Sequence, residues 1–308
     1  MSTLPKYAFF RGKMVPYSEA KVGVMTHALN YGTAIFGGLR AYWNEEQGQA
    51  YLFRPVDHFR RLMLSMRLMR MELPYTVEQL IDIAKQVVAA EGHRTDVYVR
   101  PLVYMSDELI GVRLHGLTPD LTMFCVPFGG YIKNETGAHV TISGWRRIDD
   151  NMIPARGKIA GAYVNTALIK TDAALAGFDE ALVLTQDGHI AEGSAENVFI
   201  VRNGTLITPP VTDNILEGIT RRTVMKLAQD MGIPVVERHI DRTEVYIADE
   251  LFLTGTAAQI TAVTRVDHRP VGSGEMGPIT ARIRDMFFRV VRGQEPKYAS
   301  WLVPVYEK

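Results

Sequence analysis

The chain has 308 residues, which at about 150 per domain suggests two domains, and 47% of them are apolar, enough to bury sizeable cores and to exclude global disorder. Lysine plus arginine number 34 and aspartate plus glutamate number 34, so no bulk charge draws the molecule to nucleic acid or to an anionic membrane. A single cysteine, Cys125, no signal-peptide pattern and no apolar run near the ~18 residues that span a bilayer lead to the expectation of a soluble cytoplasmic protein.

In chain order, YAFFRGKMV reads as a β-run, being rich in aromatic and β-branched residues. From Tyr51 to Glu91 the apolar residues recur at helical spacing: Phe59, Leu62, Met63 and Met66 share a face, and a second helix runs over Val77 to Ala90. The methionine stripe suits a packed core. DVYVRPLVYM and DLTMFCVPF return to strand patterning, with Cys125 placed as a buried, inert thiol. Residues 1–125 therefore form a small α+β domain. A linker follows over residues 126–136, where two glycines, a proline and polar residues cluster. Residues 137–308 form the larger α+β domain, with strand signals in HVTISGW, DEALVLT, NVFIVRN and ELFLTGT. Its helix signals are AYVNTALIKTDAALAG, TRRTVMKLAQDMG and ARIRDMFFRVVRG.

Several motifs do not carry a function. Gly272, Gly274 and Gly277 spell G-x-G-x-x-G, but too little chain follows for the strand and ribose-binding acid of a dinucleotide fold. The eight histidines lack metal-site spacing, and Ser194 lacks the flanking glycines of a nucleophile elbow.

Lys158 is one of only ten lysines and sits in ARGKIAGAY among small residues that would let a planar ligand approach its amine. Partial desolvation there suits a Schiff-base nucleophile, although the residue taken by itself also reads as an ordinary surface lysine. In HIAEGSAENVF, Glu192 ends a β-run beside a glycine turn, where a carboxylate can keep a pyridinium nitrogen protonated and make the ring an electron sink; an ordinary turn glutamate is the alternative. Gly218, Ile219 and Thr220 precede a helix whose free N–H groups attract anions, and Gly255, Thr256 and Ala257 form a small-residue turn with similar donors. Each is a common loop alone. Together they are the parts of a pyridoxal 5′-phosphate site.

These residues resemble the branched-chain amino acid aminotransferases, of the fold-type IV class of pyridoxal phosphate enzymes. The resemblance runs through NYGTAIFGGLRAY (30–42), HFRRL (58–62), YVRPLV (98–103), ARGKIAGAYVNT (155–166), EGSAENVF (192–199), LEGITR (216–221) and TGTAA (254–258). It implies a two-domain fold-type IV architecture, a smaller N-terminal and a larger C-terminal domain with the cofactor between them. Lys158 becomes the Schiff-base lysine that also moves the proton, and Glu192 the partner of the pyridine nitrogen. Tyr163 would bond the ring hydroxyl, while Arg60, Ile219, Thr220 and Thr256 would hold the phosphate.

The same resemblance places Phe36, Arg40, Tyr98, Arg100, Tyr131, Thr256 and Ala257 at the substrate, with Tyr31 and Val112 supplied by a second subunit, so a homodimer or larger homo-oligomer is expected. The implied reaction moves the amino group of L-leucine, L-isoleucine or L-valine to 2-oxoglutarate. Tyr98-Val99-Arg100 separates this from the D-amino acid and R-selective amine transaminases and the aminodeoxychorismate lyases of the same fold. Gly37 and Phe128 depart from the glutamate and tryptophan of many members, which suggests a broader or shifted substrate range through lost volume and charge at Gly37.

Overall fold

The computed structural model describes residues 4–306 except Tyr131, Lys133 and Glu135. The chain divides into two compact units. Unit 1 comprises residues 1–129, 157–161 and 289–308, and unit 2 comprises 130–156 and 162–288. The chain first passes from unit 1 to unit 2 at Gly130. Composition gives no sign that it returns twice, because those returns are specified by pairing with distant strands.

Unit 1 is built on a sheet that has eight strands among the described residues. Its centre is Val97–Met105, which pairs antiparallel with Pro119–Pro127 along its whole length and on its other edge with Leu39–Asn44 and Ala34–Phe36. The N-terminal β-run is two strands, Tyr7–Phe10 and Lys13–Pro16, because Arg11 and Gly12 both take positive φ and turn the chain back. Helix Pro55–Leu68 begins with proline, whose fixed φ suits a first helical turn. Helix Val77–Glu91 carries a full capping box between Thr76 and Gln79. Phe59, Leu62 and Met66 are buried, as the methionine-rich periodicity predicts.

Tyr51 to Phe53, read as the start of a helical stretch, belong instead to strand Gln49–Phe53, which pairs with Leu302–Pro304. Three residues cannot distinguish the two periods, and the partner strand lies some 250 positions away. Arg292 anchors the returning chain: its guanidinium donates to the Trp43 carbonyl at 2.7 Å and to both Asp96 carboxylate oxygens at 2.5 and 2.8 Å.

Unit 2 holds a second sheet, nine-stranded among the described residues, in which Ala138–Arg146 pairs parallel with both Glu180–Leu184 and Gln259–Val266. Asn197–Arg202 and Glu250–Gly255 pair antiparallel beside them. Val140, Leu182, Ile200, Leu253 and Val263 form the centre of its apolar core. Helices Tyr163–Leu175, Ile219–Asp230 and Pro278–Val291 occupy the three segments with helical periodicity. The G-x-G-x-x-G segment is a turn, with Gly272 and Gly274 at positive φ. The following helix start is already filled, since the Ile279 and Thr280 N–H groups donate to the Glu250 carboxylate at 2.9 and 2.6 Å.

No helix among the described residues is long and apolar enough to cross a membrane.

Candidate active site

Lys158 lies on residues 157–161, which pack as a short strap on the start of strand Ala34–Phe36. Ile159 bridges Ile35, the Phe36 N–H donates to the Lys158 carbonyl at 3.0 Å, and the Gly161 N–H donates to the Gly32 carbonyl at 3.2 Å. Gly32 has φ +66° and a side chain there would come within 2.8 Å of the Gly161 Cα. The small residues around Lys158 therefore bring two backbones together, where sequence reasoning assigned them to ligand access. The Lys158 Nζ is 5.1 Å from the centre of the Phe36 ring, and the Arg100 guanidinium stands 4.4 Å from the same ring. Two cations gathered at one aromatic ring make this part of unit 1 receptive to anions.

Arg100 and Tyr98 alternate along Val97–Met105 and so share a face. The Arg100 Nη2 donates to the Tyr98 hydroxyl at 3.1 Å, while the buried Arg100 Nε has no hydrogen-bond partner among the described residues. An unsatisfied guanidinium nitrogen held in place is what a ligand carboxylate would complete. Arg40, opposite Tyr98 in the strand register, differs in use. It is 2% exposed and donates to the Phe128 and Gly129 carbonyls, both at 2.8 Å, with its guanidinium 5.1 Å from the Phe128 ring. These bonds make Arg40 a brace for the 128–129 backbone. At Gly37, a side chain would meet the Pro101 ring at 2.7 Å, so the glycine leaves no open volume there. This removes the steric basis for the broadened range expected from that position.

Arg60, expected at the phosphate, sits apart from the lysine strap. It lies on the exposed side of helix Pro55–Leu68, with Glu78 as an electrostatic neighbour. The face that meets the lysine strap carries Ser65, whose Oγ accepts from the Lys158 N–H at 3.4 Å, and the partly buried Arg61 one turn earlier. A one-residue displacement on a helix rotates a side chain by about 100°, and the motif HFRRL contains two adjacent arginines between which composition cannot choose.

Within unit 2, Glu192 ends strand Ile190–Gly193 and is 3% exposed. Its carboxylate pairs with Arg147 Nε at 3.0 Å and accepts from Asn197 Nδ2 at 3.2 Å and from the Leu216 N–H at 3.1 Å. A buried carboxylate with a guanidinium and two neutral donors is fixed in direction. Arg147 and Asn197 escaped sequence reasoning: Arg147 is 45 positions upstream, and Asn197 shows only as the polar residue that opens a strand. Asn197 also donates to the Leu216 carbonyl at 2.9 Å, and a side chain at Gly218 would sit 2.0 Å from its Oδ1.

That close approach places the start of helix Ile219–Asp230 beside Glu192. Gly218 gives this helix no side-chain cap, and Ile219 and Thr220 are buried. Its first N–H groups and positive dipole end form an anion-receptive terminus. Thr256 and Ala257 form the turn after Glu250–Gly255. Thr254 pairs with Asn197, so this turn and the 193–196 turn are neighbours. The Ser194 hydroxyl, 2% exposed, has no hydrogen-bond partner among the described residues, while its carbonyl accepts from Thr166 Oγ1 at 3.0 Å. Tyr163 is partly buried at the start of helix Tyr163–Leu175. Tyr131 lies outside the described residues.

These donors suit pyridoxal phosphate. The pyridine nitrogen calls for an ionised acid, the phosphate for a free helix terminus, and the unpartnered Ser194 hydroxyl marks polar capacity left for a ligand.

Unit 1 thus gathers Lys158, Phe36, Tyr98 and Arg100, and unit 2 gathers Glu192, Ile219, Thr220 and the Thr256 turn. Tyr31 and Val112 also come together in unit 1, since the Tyr31 hydroxyl accepts from the Gly111 N–H at 3.1 Å. The model of the family described as "Amino-transferase class IV" matches residues 34–266. A probable branched-chain-amino-acid aminotransferase of Aquifex aeolicus is 48% identical over 303 residues, covering 98% of this chain and 97% of that protein. The crystal structure of the branched-chain aminotransferase of Thermoproteus uzoniensis with norvaline is 43% identical, superposes with a TM-score of 0.94, and covers 98% of this chain and 100% of that one. The branched-chain amino acid aminotransferase of Thermobaculum terrenum in its PLP-form gives 39% identity, a TM-score of 0.93, and coverage of 98% and 99%. With likeness of that extent in sequence and fold, spanning the segments that carry Lys158, Glu192 and the Ile219 helix start, the chain belongs to the class IV aminotransferases, among the branched-chain-amino-acid aminotransferases.

Proposed function

We propose that this protein exchanges the amino group of L-leucine, L-isoleucine or L-valine with 2-oxoglutarate, using pyridoxal 5′-phosphate, in the cytoplasm. The observation that carries the reading is Glu192, a buried carboxylate paired with Arg147 at 3.0 Å and fixed further by Asn197 and the Leu216 N–H. A pyridine cofactor calls for a carboxylate fixed in this way. When bound, the cofactor supplies an electron sink for the carbanion formed at the substrate Cα.

The chain's own residues do the rest. Lys158 Nζ takes the proton from the substrate Cα. Glu192 would pair with the pyridine nitrogen, and Tyr163 would donate to the ring hydroxyl. The helix terminus at Ile219 and Thr220 would hold the phosphate with Thr256, and we assign the accompanying guanidinium to Arg61 in place of Arg60. Arg100, with its open Nε, binds a substrate carboxylate, and the apolar Phe36 and Ala257 take the aliphatic side chain. Tyr131 is retained as a substrate residue on the resemblance alone.

We further propose a homodimer in which Tyr31 and Val112 reach the partner's substrate. Its support is an exposed apolar patch on unit 1: Val24 at 84%, Leu29 at 63%, Ile110 at 71% and Val112 at 78%. The Thr26–Glu108 bridge and the bonds at Gly111 draw these residues together.

The test is the absorption spectrum of the cofactor-loaded enzyme on adding L-leucine without a keto acid, with D-leucine as a matched sample. Bleaching of the yellow band by the L form alone is expected. Bleaching by the D form alone would keep the cofactor and remove the branched-chain L-amino acid assignment. A Lys158→Ala variant that still bleached at the parent rate would overturn the role of the lysine.

A further inference from the structure

Helix His27–Tyr31 and the loop between Ser106 and Thr118 are locked together by a chain of hydrogen bonds that the reaction described above does not use. The loop closes at its neck, where the Ser106 N–H and Oγ both donate to the Thr118 carbonyl at 2.9 Å. At its far side the Gly111 peptide groups are bracketed by two side chains. His27 Nε2 lies 2.7 Å from the Gly111 carbonyl oxygen, and the Gly111 N–H donates to the Tyr31 hydroxyl at 3.1 Å.

A carbonyl only accepts, so His27 Nε2 is the donor to Gly111. On the other side of the ring, Nδ1 is within hydrogen-bond distance of the Thr33 hydroxyl, at 2.7 Å. The ring is completely buried and rests 4.7 Å from that of Tyr31. Gly111 has φ +145°, a conformation that glycine adopts readily and other residues rarely do. The flanking Ile110 and Val112 are both more than 70% exposed. An apolar pair is thus held out in solvent by buried polar side chains behind it.

Thr33 is the second link. Its carbonyl accepts from the Met105 N–H at 3.1 Å, and it directly precedes strand Ala34–Phe36, the strand on which the Lys158 strap is laid. Residues 27–36 therefore hold the Gly111 loop at one end and the reactive-lysine segment at the other. Such a shared anchor keeps a loop in place without a conformational cost at the moment of binding.

We propose that His27 is a positioning residue for transamination, acting through Gly111 to fix where Val112 is presented to the substrate side chain. This rests on the reading that Tyr31 and Val112 serve the substrate of the partner subunit.

The test compares parent, His27→Leu, His27→Gln and Thr33→Val in the cofactor-loaded enzyme. Amide exchange of the peptide covering 107–112 should be about 10-fold faster in His27→Leu, the loss set by one buried hydrogen bond. His27→Gln, whose amide can still donate to the Gly111 carbonyl, should stay within about threefold, and Thr33→Val should fall between. In steady state, KM for L-leucine should rise about 10-fold in His27→Leu, with kcat within about threefold and the bound-cofactor band unchanged.

Exchange and KM both at parent values in His27→Leu would overturn the proposal. A parallel collapse of kcat and cofactor retention, with no gain from His27→Gln, would also overturn it by giving His27 a merely structural role. Should His27→Leu fail to fold, unchanged exchange in Thr33→Val would decide against it. A parent enzyme unable to convert L-leucine would remove the proposed function and leave the exchange data to judge the clamp by themselves.

Discussion

Arg60 and Arg61 differ in sequence by one position and in chemistry by which way a helix turns them. Arg61→Ala is expected to weaken retention of pyridoxal phosphate by about tenfold or more, since it removes a charge-assisted bond, while Arg60→Ala changes it less than about twofold. Dialysis against increasing volumes followed by cofactor absorbance measures both. At this scale residue types were legible in sequence and their directions were not. Lys158 and Glu192 stand out by their neighbours, whereas the bonds from Arg40 to the Phe128 and Gly129 carbonyls have no signal in sequence. Cys125 was readable, because an apolar strand surrounds it. Burial pushes its thiol up to about 12, and Glu91 adds to the effect. At pH 8, iodoacetamide should therefore leave Cys125 unmodified in the native protein and label it fully after unfolding, as intact mass would report.

Elements show what links neighbouring residues. The turn after Glu192 carries Glu196, which is completely buried beside Glu180 and Glu192. Lys170 bonds Glu180 at 2.7 Å and Arg147 bonds Glu192 at 3.0 Å, while the described residues give Glu196 no ion pair, only the Ala195 N–H at 3.1 Å. Desolvation, with Glu180 next, raises its carboxyl from 4.5 to about 8. Unfolded chains lose this proton near 4.5 and the folded chain keeps it to about 8, so within that window the unfolded state binds fewer protons and stability falls as pH rises. Glu196→Gln should flatten the decline between pH 5 and pH 8 in urea titrations; an unchanged slope would place its proton elsewhere. Gly218→Ala, whose Cβ would stand 2.0 Å from Asn197 Oδ1, should disturb the Glu192 support and lower cofactor affinity by about tenfold, with secondary structure retained. Helices with strong amphipathic periodicity were legible from local pattern. Strands such as Gln49–Phe53 were not, since their pairing energy comes from residues far along the chain.

For the whole molecule, the apolar patch around Val24, Leu29 and Val112 sets an expectation for assembly. Sedimentation at micromolar concentration should give at least twice the chain mass, and Leu29→Asp, which places a charge in the patch, should shift the enzyme toward monomer with loss of activity. Class and two-unit organisation were legible from length and alternating patterning. The membership of each unit was not, because it depends on residues 157–161 and 289–308 rejoining a sheet begun near the N-terminus.

That return has a bearing on synthesis. A ribosome that has delivered the chain through Phe288 has supplied all of unit 2, while strand Gln49–Phe53 still waits for Leu302–Pro304 and the Asp96 carboxylate for Arg292. The unit translated first is thus the one finished last. Until then its strand edge stands open to other nascent chains, and that delay gives a chaperone acting early in translation its opportunity.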